Sequence, residues 1–70
     1  MEMITTKDLR VGDVIQDVAS EEDASVFKVD KITETNVYLK PIRNCIGYYL
    51  DAHGLILFPN NTNLTWYRHG

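Results

Sequence analysis

Three side chains in the second half of this 70-residue chain have the chemistry for nucleophilic catalysis, namely Cys45, Asp51 and His53. If residues 45–50 and 55–58 pair as a hairpin, Cys45 and His53 approach each other, and a cysteine–histidine pair generates a thiolate. The pattern places Asp51 and His53 in an exposed turn, however, whereas catalysis requires a pocket that excludes water. We therefore predict that the chain is not an enzyme and that Cys45 is a small buried apolar residue.

Ligands for a metal or a cofactor are sparse in this sequence. Cys45 is the only cysteine, which excludes a cysteine cluster for zinc and a disulfide within the chain. His53 and His69 do not have the spacing of a paired-histidine motif. No phosphate loop is present, because the glycines stand singly at Gly12, Gly47, Gly54 and Gly70. We predict no metal and no cofactor, and a lone cysteine is typical of a reducing compartment.

Aromatic and arginine side chains in the second half are better candidates for binding than for catalysis. Tyrosine, tryptophan and arginine are the residues most often found as anchors in protein interfaces. The predicted contact face consists of Tyr38, Arg43, Tyr48 and Trp66. Tyr48 and Tyr49 are adjacent on a predicted strand, so one of them must face outward. An open sheet edge could also pair with a partner's strand or with a second copy, and a homodimer is therefore an alternative to a well-packed monomer.

Charge is distributed unevenly along the chain, which has a net charge of −3. Residues 1–35 carry nine carboxylates and four cations, whereas residues 36–70 carry one carboxylate and three cations. The first half contains the predicted acidic patch, which is formed by Asp17, Glu21, Glu22 and Asp23. Such a patch would steer the protein toward a basic partner surface. The main functional hypothesis is a non-catalytic module for protein–protein interaction or regulation.

Nucleic acid is the alternative partner. Lys40, Arg43 and Arg68 accompany most of the aromatic residues, and bases stack on aromatic side chains in single-strand binding barrels. A sequence pI near 5.1 argues against this role, because neutralisation of phosphates supplies most of the affinity. A third hypothesis is an acidic inhibitor of a nucleic-acid enzyme, in which carboxylates occupy a site meant for phosphates. Cations interspersed in the acidic half weaken that hypothesis.

The elements that position these residues are predicted to be short antiparallel strands. The strongest signal is a hairpin over residues 25–42 that turns at Glu34 and Thr35, with a core set of Phe27, Val29, Val37 and Leu39. Pro41 cannot donate to a sheet ladder, so the return strand should end there or lie at an edge. Further strands are predicted over residues 13–18, 45–50, 55–58 and 63–68. Turns are predicted over residues 5–9, 11–13, 51–54 and 59–62, and a solvated loop over residues 19–24.

This layout resembles the SH3-like small β-barrels. The resemblance is carried by the entry Lys7-Asp8-Leu9-Arg10-Val11-Gly12-Asp13-Val14-Ile15, by the long hairpin, and by the turn at residues 59–62 before a last strand. The aromatic ligand groove of peptide-binding SH3 domains is not recognisable, so the resemblance implies a scaffold and no function. An OB-like barrel is the alternative topology. The expected fold is thus all-β, one small antiparallel SH3-like barrel of five or six strands over residues 1–70.

The amino terminus lacks the basic and apolar regions of a signal peptide, and the longest apolar run, residues 54–58, is far too short to span a membrane. We expect a cytoplasmic protein that does not bind membranes. A short acidic barrel of this kind is similar to accessory or regulatory proteins of bacteria and their phages.

Overall fold

Six antiparallel strands and one 3₁₀ turn make up the chain. The computed structural model describes residues 1–70. The strands are β1 (Glu2–Thr5), β2 (Val14–Gln16), β3 (Val26–Ile32), β4 (Asn36–Arg43), β5 (Ile56–Pro59) and β6 (Thr65–Arg68), and the 3₁₀ turn spans Thr6–Asp8. All six belong to one sheet in the order β1-β6-β2-β3-β4-β5. The prediction of an all-β fold with five or six short antiparallel strands is confirmed. The structure contains no helical segment that could span a bilayer.

The sheet curls so that its two halves share one core. Phe58 on β5 and Trp66 on β6 lie four steps apart in the strand order, yet their ring centroids are 5.4 Å apart. The buried core residues come from every strand and from the turn after the 3₁₀ segment: Ile4, Leu9, Ile15, Phe27, Val29, Val37, Leu39, Ile56 and Trp66. Because one face of each strand contributes, the apolar area is removed from water without a second sheet.

The central hairpin forms as predicted, and all four residues of its predicted core set are buried. The register shifts between Val29 and Lys31, which makes Asp30 the extra residue of a β-bulge and sets Lys31 opposite Tyr38. Pro41 does not end β4. It lies opposite Phe27 in a part of the strand that has no β5 partner, because β5 pairs only with Asn36–Leu39. A missing N–H is tolerated at such a one-sided position.

The predicted strand over residues 45–50 is absent. Asn44 adopts a positive φ of 57°, which turns the chain away from β4, and the Tyr48 N–H then donates to the Cys45 carbonyl at 3.2 Å. Residues 45–50 therefore form a loop. The strand predicted over 13–18 is shorter than expected, because the Asp17 side chain closes a turn by accepting from the Ser25 N–H at 2.9 Å.

Strand β1 was not predicted. No turn residue separates its four residues from a neighbouring strand in the chain, because its partner, β6, lies at the other end of the chain. Ile4 pairs with Trp66, and Met3 pairs with Tyr67. The predicted turns at Gly12 and Gly54 are confirmed, with φ values of 93° and 77° that favour glycine. The turn predicted over residues 5–9 is the 3₁₀ segment.

Candidate functional site

Trp66, a predicted contact residue, lies in the core. Its side chain is 2% exposed, and its indole N–H donates to the buried Thr6 hydroxyl at 2.9 Å. Phe27 and Phe58 contact the Trp66 ring edge to face, at centroid distances of 5.8 and 5.4 Å. The expectation that Trp66 faces a partner is therefore wrong, because a curled sheet of this size needs its largest ring to fill the interior.

Tyr48 holds the β4–β5 connection against the open end of the core. Its ring packs edge to face on Phe27 at 5.0 Å, and its hydroxyl donates to Asp17 at 2.8 Å. Burial and, next, the Asp17 carboxylate raise the pKa of Tyr48 to about 12. Asp17 also accepts from the Ser25 N–H, so it stabilises a turn and does not join the predicted acidic patch. Tyr48 and Asp17 are therefore both engaged in contacts within the chain.

Tyr49, the neighbour of Tyr48, is the tyrosine that faces outward, and its side chain is 95% exposed. Ile46 is also 95% exposed, and Leu50 is 54% exposed. We call these three residues the apolar loop. Sequence reasoning missed it because a strand would have placed alternate side chains inside, whereas the turn at residues 45–48 leaves Cys45 and Tyr48 packed on the core and Ile46 exposed. The signal available in the sequence was Asn44, because asparagine adopts the left-handed backbone conformation more readily than most residues and can end a strand there.

The remaining predicted contact residues lie on the outer surface of the hairpin. Tyr38 is half-buried, and the Lys31 ammonium lies 4.3 Å from its ring centroid. Arg43 is exposed and donates to the Glu21 carbonyl at 3.0 Å. The acidic run Glu21, Glu22 and Asp23 is exposed, as predicted for a loop tip. The structure thus separates the predicted contact face: Tyr38 and Arg43 lie outside, and Tyr48 and Trp66 pack inside.

The residues considered for catalysis have structural contacts. The Cys45 thiol is half-buried and lies 3.2 Å from the Arg43 carbonyl and 3.4 Å from the Val26 carbonyl. The Asp51 carboxylate accepts from the Leu55 N–H at 3.0 Å and the His53 N–H at 2.8 Å, which lowers the pKa of Asp51. Asp51 therefore closes its own turn. No group of three or more His, Cys, Asp and Glu side chains is arranged to hold a metal ion.

Arg68, one of the cations considered for nucleic-acid binding, is held by carboxylates. Its guanidinium lies 2.6 Å from Glu2 and 3.1 Å from Asp13, and these contacts raise the pKa of Arg68. Its donors are therefore directed at the protein. Lys40 is exposed on β4, and Arg43 is linked to the acidic loop. The three cations do not form one basic surface around Arg68.

The surface has two open depressions. The larger, of about 510 Å³, is lined only by Lys7, Glu34, Thr35, Asn36, Pro59, Asn60 and Asn61. Asn60 donates to the Thr33 and Glu34 carbonyls from this wall, while its buried Oδ1 has no partner. The second, of about 490 Å³, lies beside the Arg68 ion pairs. Neither has the apolar lining typical of small-molecule sites.

Comparison of the chain with protein-family models, curated proteins and solved structures found no match.

Proposed function

We propose that the chain is a non-catalytic protein-interaction module that binds its partner through the apolar loop. The observation that carries the proposal is the exposure of two large apolar side chains, Ile46 and Tyr49, at 95% each. Leu50, which follows Tyr49 in the chain, and Ile42, which precedes Ile46 by four residues, are each 54% exposed. Contiguous exposed apolar residues mark interaction sites, because covering them releases about 25 cal/mol for each Å² removed from water.

The apolar loop is anchored from the inside, which supports its use as a binding element. Tyr48 is packed on the core between Ile46 and Tyr49, and its hydroxyl is bound to Asp17. The Cys45 carbonyl accepts from the Tyr48 N–H, which closes the turn. A loop held in this way loses little conformational freedom on binding, so more of the contact energy contributes to affinity.

A polar rim borders the apolar loop on one side. The Asn44 amide donates to the Asp23 carbonyl at 3.2 Å, and Arg43 donates to Glu21, so the acidic run lies beside the start of the loop. Interfaces have this anatomy, with apolar anchors at the centre and charged residues at the margin. The predicted acidic patch enters the proposal as Glu21, Glu22 and Asp23, without Asp17.

The SH3-like barrel is the scaffold in this proposal. Its support is a single antiparallel sheet that curls until β5 and β6 meet through Phe58 and Trp66. The short entry segment before β2 and the turn before β6 also agree with it. The binding surface then lies on a connection between strands, where such scaffolds tolerate sequence change.

Affinity capture from nuclease-treated lysate of the source cell tests this function. We expect the wild-type chain to retain a protein and the double variant Ile46→Ser/Tyr49→Ser to lose it, with affinity reduced about tenfold or more. The matched control is Val11→Ser/Leu64→Ser, which changes two apolar residues that are 63% and 38% exposed elsewhere. Equal capture by both variants would exclude the apolar loop as the binding surface. Recovery of nucleic acid alone from untreated lysate would support the single-strand alternative instead.

A further inference from the structure

Three lysines lie on the outer face of the central hairpin without an acidic partner. Lys28 on β3 is directly opposite Lys40 on β4, and both are exposed. The bulge at Asp30 places Lys31 opposite Tyr38, two residue pairs further along the same strands. Both ion pairs of the molecule involve Arg68, so no carboxylate lies within 4 Å of these ammonium groups. We call the three residues the lysine face.

The arrangement is unfavourable for the isolated chain. Like charges directly opposite each other on antiparallel strands destabilise the pair. The chain has a net charge of −3, so carboxylates that could separate Lys28 from Lys40 are abundant, yet none contacts either lysine. The positive charge of Lys31 contributes to the lowered pKa of Asp51, so Lys31 has a carboxylate in its vicinity. Lys28 and Lys40 remain as the uncompensated pair. A bound anion between them would remove the repulsion.

The neighbours of the lysine face are aliphatic. Leu57 lies opposite Tyr38 on β5 and is 46% exposed, and Ile42 lies two residues beyond Lys40 on β4. The register shift between Val26 and Phe27 leaves Ile42 without a partner on β3. The Tyr38 ring is covered by Lys31, so the outer face of β3 and β4 has no uncovered ring on which a base could stack, and the exposed Tyr49 ring belongs to the loop after β4. Cations flanked by aliphatic side chains complement a protein surface better than a nucleic acid.

We propose that the lysine face binds an acidic segment of a partner protein, one in which carboxylates alternate with aliphatic side chains. Lys28 and Lys40 bind its carboxylates, and Leu57 and Ile42 contact its aliphatic residues. The inference rests on the proposed function, because Ile42 lies in the chain between Lys40 and the apolar loop, and it names the chemistry of the partner. The partner's acidic segment then crosses β3 and β4, while its apolar pocket receives Ile46 and Tyr49.

A labelled peptide of alternating glutamate and leucine tests the inference on the full-length chain. We expect binding by fluorescence anisotropy at low salt that weakens at about 0.2 M salt. The variant Lys28→Gln/Lys40→Gln should bind about fivefold more weakly. The control Lys7→Gln/Arg10→Gln removes the same charge from exposed positions outside the face and should bind within about twofold of the wild type. Thermal unfolding of the Lys28→Gln/Lys40→Gln variant should occur at an unchanged or higher temperature, because repulsion is removed.

Three results would overturn the inference. They are equal binding of a glutamine–leucine peptide, equal weakening by the control variant, and binding of an oligothymidine strand without binding of the acidic peptide. The last would assign the face to nucleic acid. The outcome is separable from that of the proposed function: Ile46→Ser/Tyr49→Ser leaves the lysine face intact, so it should still bind the acidic peptide even if it captures no partner. Failure of the peptide with successful, loop-dependent capture would reject the lysine face alone.

Discussion

At the scale of single residues, the two adjacent tyrosines at the end of the hairpin have opposite environments. Tyr48 packs on Phe27 and donates to Asp17, whereas Tyr49 is 95% exposed. Their side chains are the same, so residue type could not assign the roles. The turn that begins at Cys45 decides which ring faces the core. Trp66 shows the same limit, because the residue type most typical of an interface anchor is here the largest core residue.

The first prediction at this scale concerns the alkaline stability of the chain. Below pH 10 the Tyr48 phenol keeps its proton in the folded and unfolded states, so its stabilising contribution is fully present. Its folded-state pKa is raised to about 12, so between pH 10 and pH 12 mainly the unfolded chain loses the proton, and the free energy of unfolding falls as pH rises. The full shift corresponds to about 2.7 kcal/mol, which solvent screening reduces to about 1 kcal/mol.

Urea unfolding of the wild type and of Tyr48→Phe at about pH 8 and about pH 11 checks this prediction. At the lower pH the variant should be less stable by about 1 kcal/mol, because it lacks the hydrogen bond to Asp17. The difference should shrink at the higher pH. A constant difference across this range would show that Tyr48 titrates alike in both states.

At the scale of elements, a bulge on β3 and the end of β4 position both candidate surfaces. The bulge at Asp30 moves Lys31 onto the outer face, where its ammonium covers Tyr38. At the other end, Asn44 turns the chain out of the sheet with a φ of 57°. Its amide donates to the Asp23 and Ala24 carbonyls, and its own carbonyl accepts from the Ser25 hydroxyl. One residue therefore ends β4, starts the apolar loop and holds the acidic loop beside it.

We expect Asn44→Ala to destabilise the chain by about 2 kcal/mol, since alanine at a positive φ costs about 1 kcal/mol and the amide contacts are lost as well. Asn44→Gly keeps the backbone conformation and loses only the amide contacts, so it should cost about half as much. Denaturant unfolding of the two variants measures both values. If Asn44→Gly lowers the free energy of unfolding as much as Asn44→Ala does, the left-handed backbone at this position does not account for the loss of stability with alanine.

At the scale of the whole molecule, the two ends of the chain are joined through β6. Strand β6 lies between β1 and β2, so the last strand closes the sheet on the amino-terminal segment. Arg68 stabilises the junction of β6 with the amino-terminal segment, because its guanidinium contacts Glu2 on β1, the Asp8 carbonyl and Asp13 before β2. Trp66 adds the buried contact with Thr6. A core assembled from both ends of a 70-residue chain makes stability depend on this junction.

Arg68→Gln should therefore lower the midpoint of thermal unfolding by several degrees, since it removes two ion pairs and leaves Asp13 without its cation. Arg43→Gln is the matched control. That arginine is exposed and makes one hydrogen bond to a backbone carbonyl, so its replacement should change the midpoint little. Scanning calorimetry of both variants checks the prediction. Equal shifts would show that the Arg68 ion pairs do not hold the chain ends together.

The sequence by itself determined the local features of this protein. Alternation of apolar residues predicted the central hairpin and its core set, and Gly12 and Gly54 predicted two turns, because strand pairing across a short turn and left-handed backbone depend on neighbours in the chain. All-β architecture followed from these elements.

Only the tertiary structure decided the rest. Strand β1 exists because β6 pairs with it across the length of the chain, and the assignment of Trp66 and Tyr48 to the core follows from the curl of the sheet. The apolar loop and the Lys28–Lys40 pair depend on a turn and on a register that single residues do not specify. Contacts between distant segments place these side chains, so local pattern could suggest a binding role but could not locate the candidate surfaces.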